Sequence, residues 1–450
     1  MNGERGAHEA RKARLLARWQ VQANDDGPLG LAKRSSNLFR DRIESTKRRL
    51  DLSEFCHVIK VRPDEGWVDV EGLTTYAALV DATLPHGVMP AVVPQLKTIT
   101  VGGAAAGVGI EATSFRQGLV HDTLLEIDVL LPSGQVVPCT PSNEHRDLFF
   151  GFPNSYGTLG YALRLRLRTI PVRRFVRLEH RHHQAPQRFL ADMAAQCEGS
   201  AEFVDGVVFG PQEQVLTVAR FVDEAPWISD YSFERIYYRS LRDRTEDYLT
   251  ARDYLWRWDT DWFWCSKNVG AQRWLVRRLL GRKRLNSETY TRIMRWNARR
   301  GWSRRIDRWL GRHSESVIQD VDIPWSRAEA FLEFLLREIG ILPIWTCPVL
   351  AGAAGSRFAL YPMPAAERYL NFGFWDVKRT AVAFEAGHFN RLVERKVLEL
   401  GGIKSLYSDS WFTREEFAQA YDMTQYRALQ ARYDPEHRLL GLYEKCVERA

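Results

Sequence analysis

The chain has 450 residues, a net charge of +7, 45% apolar residues and 12% aromatic residues, which describes a globular protein with a sizeable core and room for two domains, three at most. No run of about 18 apolar residues occurs, so no transmembrane helix is predicted, and a charged N-terminal stretch without an apolar core gives no expectation of a signal peptide. Six cysteines (Cys56, Cys139, Cys197, Cys265, Cys347, Cys446) stand far apart with no C-x-x-C pair; this argues against structural zinc and fits reduced thiols in a cytoplasmic setting.

Residues 4 to 19 read as a short basic helix, either touching anionic lipid or simply solvated. Residues 24 to 30 read as a linker and Leu31 to Asn37 as a polar turn with spare donors. His57 to Val61 and Trp67 to Glu71 are predicted strands around a Pro63–Gly66 turn. Thr74 or Thr75 is placed to cap a helix through Ala82, which stops at Pro85-His86-Gly87.

Residues 94 to 109 are almost bare of side chains (Pro94-Gln95-Leu96-Lys97-Thr98-Ile99-Thr100-Val101-Gly102-Gly103-Ala104-Ala105-Ala106-Gly107-Val108-Gly109). Such a stretch lets a ligand or another backbone come close. Its free N–H groups would form an anion-binding nest suited to a pyrophosphate. A dinucleotide fingerprint G-x-G-x-x-G would need a third glycine and a following apolar-periodic helix. Gly107-Val108-Gly109 has neither, because Glu111 to Gly118 reads as loop. A phosphate-cradling loop of another kind and a ligand-free packing loop both fit the spacing.

Further on, Leu125, Ile127, Val129 and Leu131 alternate with Glu126 and Asp128, and Pro132-Ser133-Gly134 turns the chain into Val136-Val137, predicting a hairpin. Asp147 to Phe152 reads as a short helical or turn segment before the Gly157-Thr158-Leu159-Gly160 loop. Leu163, Leu165 and Leu167 alternate with Arg164, Arg166 and Arg168, a period-2 strand with arginine outside. A domain boundary is expected near residue 175. His180-Arg181-His182-His183 reads as an exposed strand edge rather than a metal site, for want of Cys or carboxylate support.

Between residues 271 and 312 fourteen Lys/Arg face two acids, Glu288 and Asp307, and eight of the fifteen tryptophans fall between Trp256 and Trp309. A solvated arginine face, a nucleic-acid groove and a patch that lies on anionic membrane are the three readings. Nothing else in the chain supports nucleic acid. Strands are predicted at 316–324, 342–348 and 369–375, and helices at 326–339 and 386–400.

Taken in order, the segment ending in T-V-G-G, the E-I-D-V-L-L-P-S-G hairpin and the run D-L-F-F-G-F-P-N-S-Y-G-T-L-G-Y resemble the FAD-binding (PCMH-type) domain of the vanillyl-alcohol-oxidase flavoproteins. The runs Gly109-Ile110-Glu111-Ala112-Thr113-Ser114, Cys139-Thr140-Pro141-Ser142, Val317-Ile318-Gln319-Asp320, Pro343-Ile344-Trp345-Thr346-Cys347-Pro348 and Leu406-Tyr407-Ser408-Asp409 are similar to delta-24-sterol reductases. The resemblance implies an α+β, two-domain PCMH-type fold with a substrate domain built on an antiparallel sheet. It implies an N-terminal helix and linker at 1–30, an FAD domain at 31–175, a substrate domain at 176–400 and a return to the FAD domain at 401–450.

It also implies residue roles. Thr98, Thr100, Val101, Gly102, Gly103 and Ala104, with Gly107 and Ser114, would wrap the FAD diphosphate and ribityl chain. Gly118, Asp122, Gly157, Thr158 and Gly160 would lie along the isoalloxazine or its ribityl end. Tyr407 would be a catalytic proton donor, and Gln319, Trp345, Tyr369 and Phe372 would meet substrate. The first βα unit, for which 31–37 is the only candidate loop, reads as shortened or absent. No Gly-His pair stands there, so FAD is expected without a covalent link. The implied activity is reduction of a carbon–carbon double bond in a sterol or isoprenoid-type lipid, with NADPH as possible electron donor and no metal. An FAD-dependent oxidase or dehydrogenase of an alcohol or sugar-lipid, and a redox-idle lipid-binding protein on the membrane surface, are the alternatives. A cytoplasmic protein, peripheral on the membrane through 271–312, is the expected setting.

Overall fold

A computed structural model describes residues 3–22, 28–32, 39–40, 48–352, 357–364 and 367–449. Three sheets organise them. Strands β1 (Leu29–Ala32) and β2 (Arg48–Asp51) form a parallel pair. Strands β3 (Val58–Arg62), β4 (Trp67–Glu71), β5 (Val88–Pro90), β6 (Leu124–Leu130), β7 (Val136–Cys139) and β8 (Tyr161–Pro171) form an antiparallel sheet of order β3-β4-β8-β6-β7, with β5 also on β8. Strands β9 (Phe175–His183), β10 (Phe203–Gly210), β11 (Glu213–Val222), β12 (Glu246–Thr250), β13 (His313–Pro324), β14 (Ile344–Leu350), β15 (Arg368–Thr380) and β16 (Ile403–Lys404) form a second antiparallel sheet, ordered β12-β9-β11-β10-β14-β15-β13-β16. The molecule is thus α+β with two large antiparallel sheets, as the motifs implied.

β1 and β2 pair in parallel from Leu29↔Arg48 to Ala32↔Asp51, a pair of four-residue strands that fits a shortened first unit. Leu31 and Ala32 are strand rather than turn. Residues 33–37, the rest of the candidate loop, lie outside the described residues.

Helix α1 (Gly3–Gln22) is not simply solvated. His8, Leu15 and Trp19 are buried. His8 Nδ1 lies 2.8 Å from Glu71 Oε1, and Arg11 Nε donates to the same oxygen at 2.9 Å. Trp19 lies over the hairpin turn, where a Cβ on Gly134 would sit 2.3 Å from its ring. β8 alternates as expected: Leu163, Leu165 and Leu167 are buried. Its outward arginines are also engaged. Arg164 bonds Asp69, Glu126 and Asp128, and Arg166 bonds Asp69 in a two-pronged pair.

Helix α2 (Tyr76–Thr83) starts where Thr75 Oγ1 accepts the Ala78 N–H, and the chain leaves it through Gly87 at φ +71°. Residues Val101–Ala106, expected as loop, are helix α3. Thr100 caps it by accepting the Gly103 N–H at 3.2 Å, while the Val101 and Gly102 N–H groups bond the Thr74 and Gly72 carbonyls. These contacts outweigh the low helix propensity of two glycines. The N–H groups of 101 to 104 are therefore spent on protein, and the expected open nest is not formed by them. A four-residue helix, Ser114–Gln117, also replaces expected loop.

The eight-stranded sheet is covered on both faces. Leu370, Phe372, Phe374, Val317 and Val321 pack beneath the helices Pro186–Glu198, Ala328–Phe334 and His388–Glu399. Phe203, Val207, Val215, Trp345, Tyr369 and Trp375 belong to the core shared with the six-stranded sheet. His180 is buried inside β9 and bonds Thr217, while His182 and His183 lie beyond the end of the β12 ladder. No group of metal ligands occurs among the described residues, nor any helix long and apolar enough to cross a membrane. The basic, Trp-rich stretch divides. Trp256, Trp258, Trp262 and Trp264 are buried, whereas Trp274, Trp296 and Trp309 are exposed on the helices Trp274–Leu280, Ser287–Arg300 and Trp302–Trp309.

Candidate active site

Between the two large sheets lies a cavity of about 500 Å³, a size typical of ligand sites. One wall is the glycine segment: Thr100, Gly102, Gly103, Ala104, Gly107 and Gly109 line it. Gly157 and Gly160 line the same wall from the loop before β8. Gly160 has φ +126°, and a Cβ there would meet Leu130 O at 2.8 Å. Asn154 and Tyr156 also hold positive φ, at 59° and 50°, backbone strain of the kind that gathers at functional loops. Asn154 relieves it by bonding: its Nδ2 donates to Leu360 O at 2.7 Å, and its Oδ1 accepts the Leu406 N–H at 3.3 Å.

The opposite wall is aromatic. Trp262, Phe263, Trp345 and Trp375 line it, with Phe263 and Trp375 ring centroids 4.4 Å apart. Tyr407 is held between the walls. The Phe39 N–H donates to its carbonyl at 3.0 Å, Arg40 Nη1 donates to the Leu406 carbonyl at 2.9 Å, and Trp375 Nε1–H donates to its hydroxyl at 2.7 Å. Asp320 faces the same space from β13. Burial pushes the Asp320 carboxyl well above the usual range, and the Tyr407 hydroxyl partly offsets this. Burial and the neighbouring Asp320 together push Tyr407 up as well.

The residues expected at the site divide. Thr100, Gly102, Gly103, Ala104, Gly107, Gly157, Gly160, Trp345 and Tyr407 line the cavity; Thr98, Val101, Ser114, Gly118, Asp122 and Thr158 do not. Ser114 Oγ accepts the Glu111 N–H, Asp122 accepts the Leu119 N–H, and Thr158 donates to the Ser155 carbonyl, so these support the loops from behind. Strand parity sorts the substrate candidates. Trp345 and Tyr369 lie on the cavity side of the sheet, although Tyr369 packs away from the cavity with its hydroxyl 3.4 Å from Glu367. Phe372 lies on the other side, against Phe331. Gln319 shares that side, where its amide donates to Asn390 and its oxygen accepts from Ser408. The facing residues are their neighbours Asp320 and Trp375, together with Trp262 and Phe263. The register Trp345↔Gly373 and Asp320↔Gly373 is the signal that selects them.

The residues present fit FAD. Both polar atoms of the Gln95 amide are buried at the cavity and meet no hydrogen-bond partner among the described residues, an arrangement costly unless a ligand supplies one. Arg40, Arg49 and Lys445 line the cavity against Asp320 as the sole carboxylate among the described lining residues, an excess of cations suited to a diphosphate.

Comparison with known proteins agrees. Residues 17–140 match the model of the "FAD binding domain" family. The chain is 25% identical over 435 residues to the Delta(24)-sterol reductase of Arabidopsis thaliana, covering 88% of this chain and 76% of that protein. It is 26% identical over 420 residues to the Delta(24)-sterol reductase of Homo sapiens, covering 87% and 76%. Cytokinin dehydrogenase 5 of Arabidopsis thaliana is 34% identical over 117 residues, 26% of this chain and 22% of that protein. The chain therefore carries a PCMH-type FAD-binding domain, is similar over most of its length to Delta(24)-sterol reductases, and is an FAD-dependent oxidoreductase.

Proposed function

We propose that the protein reduces a carbon–carbon double bond of a sterol or isoprenoid-type lipid with electrons from NADPH. The observation that carries this reading is the cavity's polarity. Four large aromatic rings face the glycine wall, and among the described residues Tyr407, Asp320 and the Cys265 thiol rise from the aromatic side. An apolar ligand and one proton donor suit that arrangement better than a polyhydroxylated one. FAD, when bound, would supply the hydride chemistry, with N5 as the atom between NADPH and an alkene carbon. The chain's own residues bind and exclude. The glycine wall and Gln95, with Arg40 and Lys445, hold the cofactor. Trp345 and Trp375 bury the lipid skeleton and keep water out. Tyr407 gives the second alkene carbon its proton. No histidine lines the cavity among the described residues, which supports attachment without a histidyl link.

The test is anaerobic. NADPH should bleach the flavin, and a sterol or isoprenoid alkene should restore its colour. Bleaching by an alcohol and not by NADPH would instead establish the oxidase or dehydrogenase alternative.

The lipid reading extends to the surface. Exposed Trp274, Leu275, Leu279, Trp296, Ile306 and Trp309 share a segment with fourteen Lys/Arg and two acids. Interfacial apolar residues flanked by arginine suit an anionic membrane, from which a lipid substrate would be drawn by a cytoplasmic, peripheral protein. Co-sedimentation with anionic liposomes, weakened by salt, is expected; equal binding to neutral liposomes overturns the electrostatic part.

A further inference from the structure

The indole N–H of Trp375 can only donate. Its 2.7 Å bond to Tyr407 Oη therefore occupies one lone pair of that oxygen and leaves the other open to a second donor, with the tyrosine's own proton free to point into the cavity. Asp320 lines the cavity beside the pair, its carboxyl and the Trp375 ring meeting over Gly373. The Tyr407 and Asp320 side chains are partly exposed only because the cavity reaches them, and both line it. Asp320 Oδ1 is buried without a hydrogen-bond partner, wedged where a Cβ on Gly373 would lie 2.6 Å away. A carboxylate with one unsolvated oxygen in an aromatic cavity is costly; a neutral acid is not. The other ionisable groups near the pair are Tyr156, Asp322, Arg40 and Lys445. Arg40 sits over the Tyr156 ring with its Nη1 on the Leu406 carbonyl, and Lys445 Nζ donates to the Tyr156 carbonyl. Asp322, one step along β13's cavity face, bonds Tyr361 and Asn371.

We propose that Asp320 is a protonated carboxylic acid that resupplies Tyr407, so that Trp375, Tyr407 and Asp320 form the proton-delivery device of the site. This rests on the alkene-reducing reading above. In the step, one alkene carbon takes a hydride from the reduced cofactor and its neighbour takes the Tyr407 hydroxyl proton. The Asp320 carboxyl proton passes to the Tyr407 oxygen, and the resulting carboxylate regains a proton from water. The charges balance: one hydride and one proton enter the double bond. Trp375 is a positioning residue, fixing the hydroxyl oxygen while its proton leaves.

The test has an arm that needs no substrate. Infrared difference spectra at neutral pH should contain a protonated-carboxyl band that disappears in Asp320→Asn and shifts in Tyr407→Phe, where its hydrogen-bond partner is gone. Glu111 and Asp322, raised only to about 6, are mostly ionised at neutral pH and contribute little to this band. In the second arm, Asp320→Asn and Tyr407→Phe should each slow alkene-dependent reoxidation by about 100-fold or more, the usual worth of a general acid. The double variant should be no slower than the slower single variant, and the loss should fall on alkene-dependent reoxidation more than on flavin reduction by NADPH. Absence of the band, or Asp320→Asn reoxidised at the wild-type rate, overturns the proposal. Wild-type protein that no alkene reoxidises overturns the proposed function, and the infrared arm still decides the pair.

Discussion

Arg257 places Nη2 3.0 Å from Asp205 Oδ2 and 3.1 Å from Glu111 Oε1, with all three side chains buried. The guanidinium thus ties the segment after the glycine wall to β10, and Trp345 adds an Nε1–H bond to the same Asp205 oxygen at 3.0 Å. Burial raises Glu111 to about 6, with Arg257 pulling the other way. Removing the cation leaves two buried carboxylates uncompensated. We expect Arg257→Met to lose about 3–5 kcal/mol at neutral pH. The loss should shrink toward pH 5, where Glu111 takes up a proton. Chemical unfolding at the two pH values measures both.

Ala106 lines the cavity from the end of α3. An indole at that position has nowhere to go but the space the cofactor needs. Ala106→Trp should purify folded by circular dichroism and colourless, with flavin well below one per chain. Gly102 is a poorer probe, because a Cβ there would lie 2.8 Å from the Gly72 carbonyl oxygen and disturb the fold itself.

Gln95→Ala should separate the cofactor from the fold. It deletes two buried, unpartnered polar atoms, so the flavin-free protein should be as stable as wild type or more so. Two hydrogen bonds to flavin would be lost at about 1 kcal/mol each, making FAD binding about 30-fold weaker by titration. Weaker apoprotein with unchanged FAD affinity would show that Gln95 serves packing alone.

Asp322 is buried, accepting from Tyr361 at 2.6 Å and from Asn371 at 3.0 Å. Burial raises it to about 6 against these bonds. The folded state therefore holds its proton more tightly than the unfolded chain does. Its stabilising contribution is complete below about 4 and is lost as pH rises through 6, on the order of 3 kcal/mol. In Asp322→Asn, denaturation midpoints at pH 5 and pH 8 should lie closer together than in wild type.

Glu71 has the opposite sign. Burial opposes its charge, but hydrogen bonds from His8 and His57, with Arg11 beside them, outweigh that and lower it. Its contribution is present above the ordinary carboxylate range and disappears as pH falls through its lowered value. Glu71→Gln should cost about 1–3 kcal/mol at pH 7 and release α1, visible as faster amide exchange over residues 3–22.

These sites differ in how far the chain betrays them. β8 was legible because one face meets the core and the other meets charged partners, so Leu163, Leu165 and Leu167 alternate cleanly with arginine. β13, β14 and β15 are covered on both faces, so Gln319 and Asp320, or Phe372 and Trp375, carry no pattern that says which side meets the cavity. Only the cross-strand register decides. α3 was hidden because its glycines resist a helix, and the bonds that impose one come from Gly72 and Thr74, about 30 residues earlier. The docking of α1 depends on Glu71, 63 residues from His8, a distance over which charge and periodicity are silent. The small residues that line the cavity between 100 and 109 were legible because close approach restricts residue type directly.

The Leu29 N–H donates to the Arg438 carbonyl at 2.8 Å, and Leu440 and Lys445 line the same cavity as Gly30 and Leu31. A chain made from its N-terminus folds domain by domain as it emerges, yet this wall waits for residues some 400 positions later. The wall is therefore complete only after residues 438–445 have packed against β1.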